Sequence, residues 1–215
     1  MNEAKVLNKT TSMVNQYLAE LRDTEIQKDT LRFRRNLKRI GWYTGFEISK
    51  HFDFENSSIT TPLGIARENT LNNQIVVISV LRAALPFSEG IIEIFDQAET
   101  GFIGAMRQEG EKVEIDLGYI AIPDINGKNL IIADPMLATG KSLVKTVDAL
   151  LQKGQPASLD IATVISAPEG IEYLNSNVQH PFRLWTGAVD DHLNEKSYIV
   201  PGLGDAGDLS FGPKV

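Results

Sequence analysis

Apolar and polar positions divide this chain into two textures. Val14, Leu18 and Leu21 recur at helical spacing, and Leu31, Phe33, Leu37, Ile40 and Phe46 follow among basic residues, so roughly the first seventy residues are expected to be mostly helical. Thr60-Thr61-Pro62-Leu63-Gly64 then punctuates the pattern. Beyond it, short β-branched runs alternate with helical stretches. Gln74–Val80 precedes Phe87–Phe95, Gly101–Met106 precedes a polar loop, and Leu130–Ala133 precedes Ser142–Gln152. Leu159–Ser166 is followed by Glu169–Leu174, and Phe182–Ala188 closes the series. Apolar runs spaced by amphipathic helices predict an α/β domain with a central, mainly parallel sheet flanked by helices. The stretch from Tyr198 to Val215 is rich in glycine and has little periodicity, which suits a structured loop or a tail. The expected division is a helical N-terminal arm over 1–73, an α/β core over 74–188 and a Gly-rich C-terminal cap, or hood, over 189–215.

Composition narrows the function classes. With 21 Lys and Arg against 28 Asp and Glu, the 215 residues carry a formal charge of −7. That balance argues against nucleic acid or a membrane surface as partner, because both demand a broad basic field. The absence of cysteine excludes disulfides, zinc–thiolate sites, iron–sulfur clusters and cysteine nucleophiles. No apolar run approaches the ~18 residues of a membrane span, and the first residues show no signal peptide pattern. A cytoplasmic protein is the expectation.

The strongest local chemistry lies in Leu130–Ser142. An apolar run ends at Asp134, turns through Ala138-Thr139-Gly140 and enters a helical pattern carrying Leu143, Val147, Leu150 and Leu151. A strand–loop–helix junction offers free N–H groups and a helix dipole to an anion, at the strand end where open α/β sheets bind ligands. Thr139 and Ser142 add hydroxyls, although a plain connection capped by Thr or Ser would read similarly. Gly140-Lys141-Ser142 imitates the end of a P-loop, but the position that needs the first glycine holds Pro135, which has no N–H for a phosphate. Arg82 and Arg107 each follow a strand and suit bidentate phosphate contacts, unless they pair with a carboxylate such as Glu89 or Glu109. In Tyr198–Asp208, glycines beside Asp205 and Asp208 suggest a loop whose backbone meets a ligand.

Together, Ser79–Leu85 (SVLRAAL), Gly104–Glu109 (GAMRQE), Asp134–Ser142 (DPMLATGKS), Ala167–Ile171 (APEGI) and Tyr198–Asp208 (YIVPGLGDAGD) resemble the uracil phosphoribosyltransferase family in content, order and spacing. Phe33-Arg34 followed by Thr61-Pro62 matches as well. The resemblance implies a type I phosphoribosyltransferase-like fold and the conversion of uracil and 5-phosphoribosyl 1-diphosphate to UMP and diphosphate with Mg²⁺. It further implies a homodimer and a metal held mainly through substrate. Carried over, Arg82 and Arg107 would meet the diphosphate. Asp134, Pro135, Met136, Leu137, Ala138, Thr139, Gly140, Lys141 and Ser142 would hold the ribose and 5′-phosphate, with Asp134 near the ribose hydroxyls. Ile199, Gly204, Asp205 and Ala206 would meet uracil, and Asp205 would also face the sugar–metal assembly. Arg107, Asp134 and Asp205 are the expected catalytic set.

This chain departs from the family where it has Ala84 for glycine, Lys141 for glycine and Leu209 for a basic residue. Competing readings are an RNA-binding pyrimidine regulator on the same fold and a uracil-binding module without turnover. The remaining features suggest structural roles. His51, His180 and His192 lack metal-ligand spacing. Asp190-Asp191-His192 suits a turn or helix cap, and the stripe of Arg32, Arg34, Arg35, Lys38 and Arg39 a solvated helix face. Trp42 and Trp185 suit core or interface.

Overall fold

The computed structural model describes residues 4–108 and 114–213. The arm opens with β1 (Lys5–Val6), α1 (Met13–Arg22) and α2 (Thr30–Ser49). Ser12 caps α1 through a capping box with Asn15, and the Asp29 carboxylate caps α2 by accepting from Leu31 and Arg32 N–H. The arm is not helical throughout. Phe54–Thr61 (β2) and Gly64–Leu71 (β3) form an antiparallel hairpin whose turn is the Pro62-Leu63 pair, with Thr61 Oγ1 accepting from Leu63 and Gly64 N–H. The punctuation at 60–64 is therefore a hairpin turn, and β-branched Ile59, Thr60 and Thr61 prefer the extended strand that feeds it.

The core follows as β4 (Ile75–Leu81), α3 (Ala84–Ile94), β5 (Glu99–Gln108), β6 (Glu114–Ala121), β7 (Asn129–Ala133), β8 (Met136–Leu137), α4 (Lys141–Leu151), β9 (Ser158–Ser166), α5 (Pro168–Asn177) and β10 (Arg183–Val189). The main sheet has the order β1-β10-β9-β7-β4-β5-β6, with β8 added to β9. All of its pairs are parallel except β5–β6, so part of the expected polar loop after Met106 is an antiparallel strand at the sheet edge. The cap contains β11 (His192–Leu193), β12 (Ile199–Val200) and α6 (Ala206–Phe211), which make it an ordered unit instead of a tail.

Alternation along the central strands builds a core on each face. Val77, Ile131, Ala162, Val164 and Trp185 pack with Leu18, Leu21, Phe33, Leu37, Ile40, Phe87 and Ile91 from α1, α2 and α3. On the opposite face Val76, Ile78, Leu130, Ile132 and Ile161 meet Leu143, Val147, Leu150 and Leu174 from α4 and α5. Burying a side chain of this kind contributes ~1.5–3 kcal/mol, so the two layers hold the strand ends rigidly. Trp185 belongs to this core, where its Nε1–H donates to Asp160 at 2.8 Å. Trp42 is partly exposed and donates to Glu93 at 2.6 Å. Among the described residues, no helix is long and apolar enough to cross a membrane.

The basic stripe of α2 departs from a solvated face. Arg34 donates to the Ser210 carbonyl at 2.7 Å, and Lys38 pairs with Glu89 at 2.9 Å and with Glu93 at 2.8 Å. Side chains of the stripe thus bind α2 to the cap and to α3.

Candidate active site

At the carboxyl end of the sheet a cleft of ≈ 230 Å³ opens between the 134–142 loop and the cap. Its walls are Asp134, Met136–Gly140 and Ser142 on one side, and Ile199, Gly204, Asp205 and Ala206 on the other. Segments more than fifty residues apart thus meet where parallel α/β sheets place ligands.

The loop geometry follows from three local constraints. The β8 segment pairs with β9, Met136 opposite Ile165 and Leu137 opposite Ser166, which pins the chain just after Asp134. Gly140 lies at φ +76°, and a Cβ there would come within 2.8 Å of the Gly170 carbonyl oxygen. Only glycine fits that turn without strain. Gly140 then begins α4 with no side-chain cap, so neither Thr139 nor Ser142 occupies the first amides of the helix. Those N–H groups and the positive end of the dipole border the cleft as an anion cradle.

Asp134 stands at the end of β7, half-buried at the cleft wall. Met136 N–H donates to its carboxylate at 3.2 Å, but the surrounding loop removes most of its water. Burial pushes its carboxyl up to about 7, with that single hydrogen bond opposing the rise. Near neutrality the group can therefore either accept or donate a hydrogen bond.

Asp205 is exposed at the opposite wall. Its Oδ1 accepts from Gly207 N–H at 2.8 Å and Asp208 N–H at 2.9 Å, capping α6 and leaving Oδ2 for the cleft. Ile199 is buried at 6% exposure and sits in the β11–β12 pair opposite Leu193.

The remaining expected site residues stand differently. Pro135 turns toward β9, its carbonyl accepting from Val164 and Ile165 N–H at 3.0 Å each, and it does not line the cleft. Lys141, expected with the loop that holds the 5′-phosphate, is exposed on the first turn of α4 and also outside the lining. Arg82 follows a cis Leu81–Arg82 peptide and reaches the cap, donating to Asp208 Oδ1 and the Gly212 carbonyl at 3.1 and 3.2 Å. Its partner is thus Asp208, and Glu89 is taken by Lys38. Arg107 lies on β5 opposite Ile115, with its side chain outside the described residues, as is Glu109.

Sequence reasoning passed over Ala83, Leu143, Ser197, Tyr198 and Gly207, which also line the cleft. Tyr198 was legible as the first residue of the glycine-rich run. Ser197 lies at φ 61° and had no signal in its own residue type. Among the described residues no cluster of three or more His, Cys, Asp or Glu could hold a metal by itself.

The fold is the type I phosphoribosyltransferase fold. It is shared with a hypoxanthine phosphoribosyltransferase from Staphylococcus aureus at a TM-score of 0.51 and 14% identity, over 79% of this chain and 85% of that one. The AQ2163 protein from Aquifex aeolicus superposes with a TM-score of 0.86 at 32% identity, covering 96% of this chain and 97% of that chain. The family described as uracil phosphoribosyltransferase matches residues 8–213. The uracil phosphoribosyltransferase of Porphyromonas gingivalis is 43% identical, over 95% of each chain. That of Pyrococcus furiosus is 40% identical, over 94% of this chain and 87% of its own. The chain belongs to the uracil phosphoribosyltransferase family.

Proposed function

We propose that the cleft transfers the 5-phosphoribosyl group of 5-phosphoribosyl 1-diphosphate to uracil, giving UMP and diphosphate. The observation that carries this reading is the joint wall. An uncapped helix start and Asp134 stand on one side of ≈ 230 Å³, and a backbone-rich cap stands on the other.

The 5′-phosphate sits on the amides at the start of α4, with Thr139 and Ser142 hydroxyls beside it. Asp134 takes the ribose hydroxyls. Uracil presents two carbonyls and an N3–H, which the backbone of Ile199 and Gly204–Ala206 complements. Cytosine would leave buried groups there unpaired, a mismatch that hydrogen-bonding sites reject by roughly 10⁴-fold. As the C1′–O bond to diphosphate breaks and the N1–C1′ bond forms, the N1 proton is released to water, charge grows on the leaving group, and Arg82 and Arg107 stabilise it. Arg82 reaches it by exchanging Asp208 for phosphate oxygen.

The carboxylates of Asp205 and Asp134 suit Mg²⁺, a hard cation that binds few protein oxygens and keeps substrate phosphates and water as its other ligands. When bound, the ion supplies charge neutralisation to the diphosphate. The working assembly in this reading is a homodimer. The hairpin β2–β3 supports that, since it holds out Leu63 at 101% and Ile65 at 75% exposure, with Phe54 and Ile59 also open.

Incubating the protein with labelled uracil and 5-phosphoribosyl 1-diphosphate, with and without Mg²⁺, tests the reading. UMP formed only when sugar donor and metal are both present is the expected result. Uracil returned unchanged under all conditions would overturn it.

A further inference from the structure

The expected cap-side residues, Ile199 and Gly204–Ala206, belong to a segment that Ile199, Leu203 and Ala206 anchor in the core, but apolar packing is non-directional and does not by itself orient the backbone N–H and C=O groups. The structure supplies a tie from the far end of the chain. Asp190, at the carboxyl end of β10, has a side chain only 3% exposed. Arg22, the last residue of α1, grips it with both guanidinium nitrogens, Nη2 to Oδ1 at 2.6 Å and Nη1 to Oδ2 at 2.8 Å. The same two side chains hold both backbone polar groups of one residue of the cap. Gly202 N–H donates to Asp190 Oδ2 at 2.8 Å, and the Gly202 carbonyl accepts from Arg22 Nη1 at 2.9 Å.

Gly202 stands directly against the base-facing segment. It lies at φ +64°, and a Cβ on it would be 2.2 Å from the Ile199 carbonyl oxygen. Fixing Gly202 therefore fixes the peptide of Ile199 beneath it and the turn that leads to Gly204. Gln27, just beyond α1, also approaches this turn, with its Oε1 3.9 Å from where a Gly204 Cβ would be. Asp190 occupies a strand-end position of the kind that ligand-binding residues use in open α/β sheets. Here its oxygens are committed to Arg22 and Gly202. A fork against a carboxylate adds direction as well as strength, which a lysine in place of Arg22 would not reproduce.

We infer that Arg22 and Asp190 are positioning residues for the nucleobase. They lock the Gly202 backbone so that the Ile199–Ala206 backbone meets the pyrimidine edge, and they leave the phosphoribosyl side of the cleft untouched. This rests on the reading that the 199–206 segment receives uracil.

Steady-state kinetics of Arg22→Lys and Asp190→Asn test it, with each substrate varied in turn. Both substitutions keep size and some hydrogen bonding, and Arg22→Lys keeps the charge as well. The expected result is a KM for uracil raised roughly tenfold or more, as for loss of a charge-assisted network, with the KM for the sugar donor changed less than about threefold. Arg22→Lys should be the milder of the two. Amide NMR of the wild-type protein titrated with uracil separates the two layers of the argument. Shifts at Gly204–Ala206 support the base site, and their absence would remove both that site and the clamp. Shifts present in wild type, joined to unchanged or equally raised KM values in both variants, would overturn the clamp alone. Should Asp190→Asn not fold, the KM split in Arg22→Lys decides the matter.

Discussion

Asp134→Asn isolates a carboxyl whose burial works against its own charge. In the unfolded chain this group titrates near its ordinary 3.8, whereas in the folded protein burial pushes it up to about 7. Between those two values the folded state holds a proton that the unfolded state has released. Stability therefore falls as pH rises through that window, and it levels off once both forms are ionised above about 7. At ~1.36 kcal/mol per pH unit, the two units between pH 5 and 7 amount to ~2–3 kcal/mol. The asparagine variant lacks this loss. Urea denaturation of both proteins at pH 5, 6, 7 and 8 reads the difference directly, since every other titrating group is common to the pair. The variant should gain ~2–3 kcal/mol on wild type between pH 5 and pH 8, almost all of it by pH 7.5. Turnover should fall at every pH, because the role proposed for this group toward the ribose hydroxyls uses a carboxyl that can give or take a proton, which an amide cannot. Parallel stability curves across the range would refute the account of Asp134 as a desolvated acid.

Three further outcomes follow from the geometry. Gly140→Ala places a methyl in a left-handed turn 2.8 Å from the Gly170 carbonyl, so it should cost ~1–2 kcal/mol from the backbone conformation alone and more from the contact. If the loop shifts by about 1 Å, kcat/KM for the sugar donor should drop about a hundredfold, measurable by initial rates. Lys141→Ala removes an exposed side chain outside the cleft lining, so KM for the sugar donor should change less than about threefold, and neither protein should hydrolyse Mg-ATP. Leu63→Glu combined with Ile65→Glu puts charge on the open hairpin, and sedimentation velocity should show a dimer replaced by monomer while the monomer keeps its fold.

Legibility of the sequence varied with the range of the interaction. The strands β4, β7, β9 and β10 were readable because each is an apolar run buried on both faces, a property carried by consecutive residues. The strand-to-helix turn at 134–142 was readable for the same reason, since an acid, a glycine and a helical pattern adjoin one another. The hairpin β2–β3 escaped because its sides alternate polar residues with few apolar ones and pack on no core, so neither period stands out. The edge strand β6 escaped because it follows a polar stretch with no clear alternation, and α6 because six residues are too few for a helical period to show. Least legible were the ties across the fold. Arg22 with Asp190 spans 168 positions and Arg82 with Asp208 spans 126, and nothing local to either partner marks it. Asp190 read as a turn residue, and only the packing of α1 beside the cap gives it Arg22.

In the proposed function one cleft, formed by the 134–142 loop and the cap, holds both ends of a nucleotide. A crystal structure with UMP tests it most directly. The account predicts the phosphate on the amides at the start of α4, the ribose hydroxyls at Asp134 and the base edge on the backbone of Ile199 and Gly204–Ala206. UMP bound elsewhere, or bound here with its base and phosphate exchanged, would contradict it.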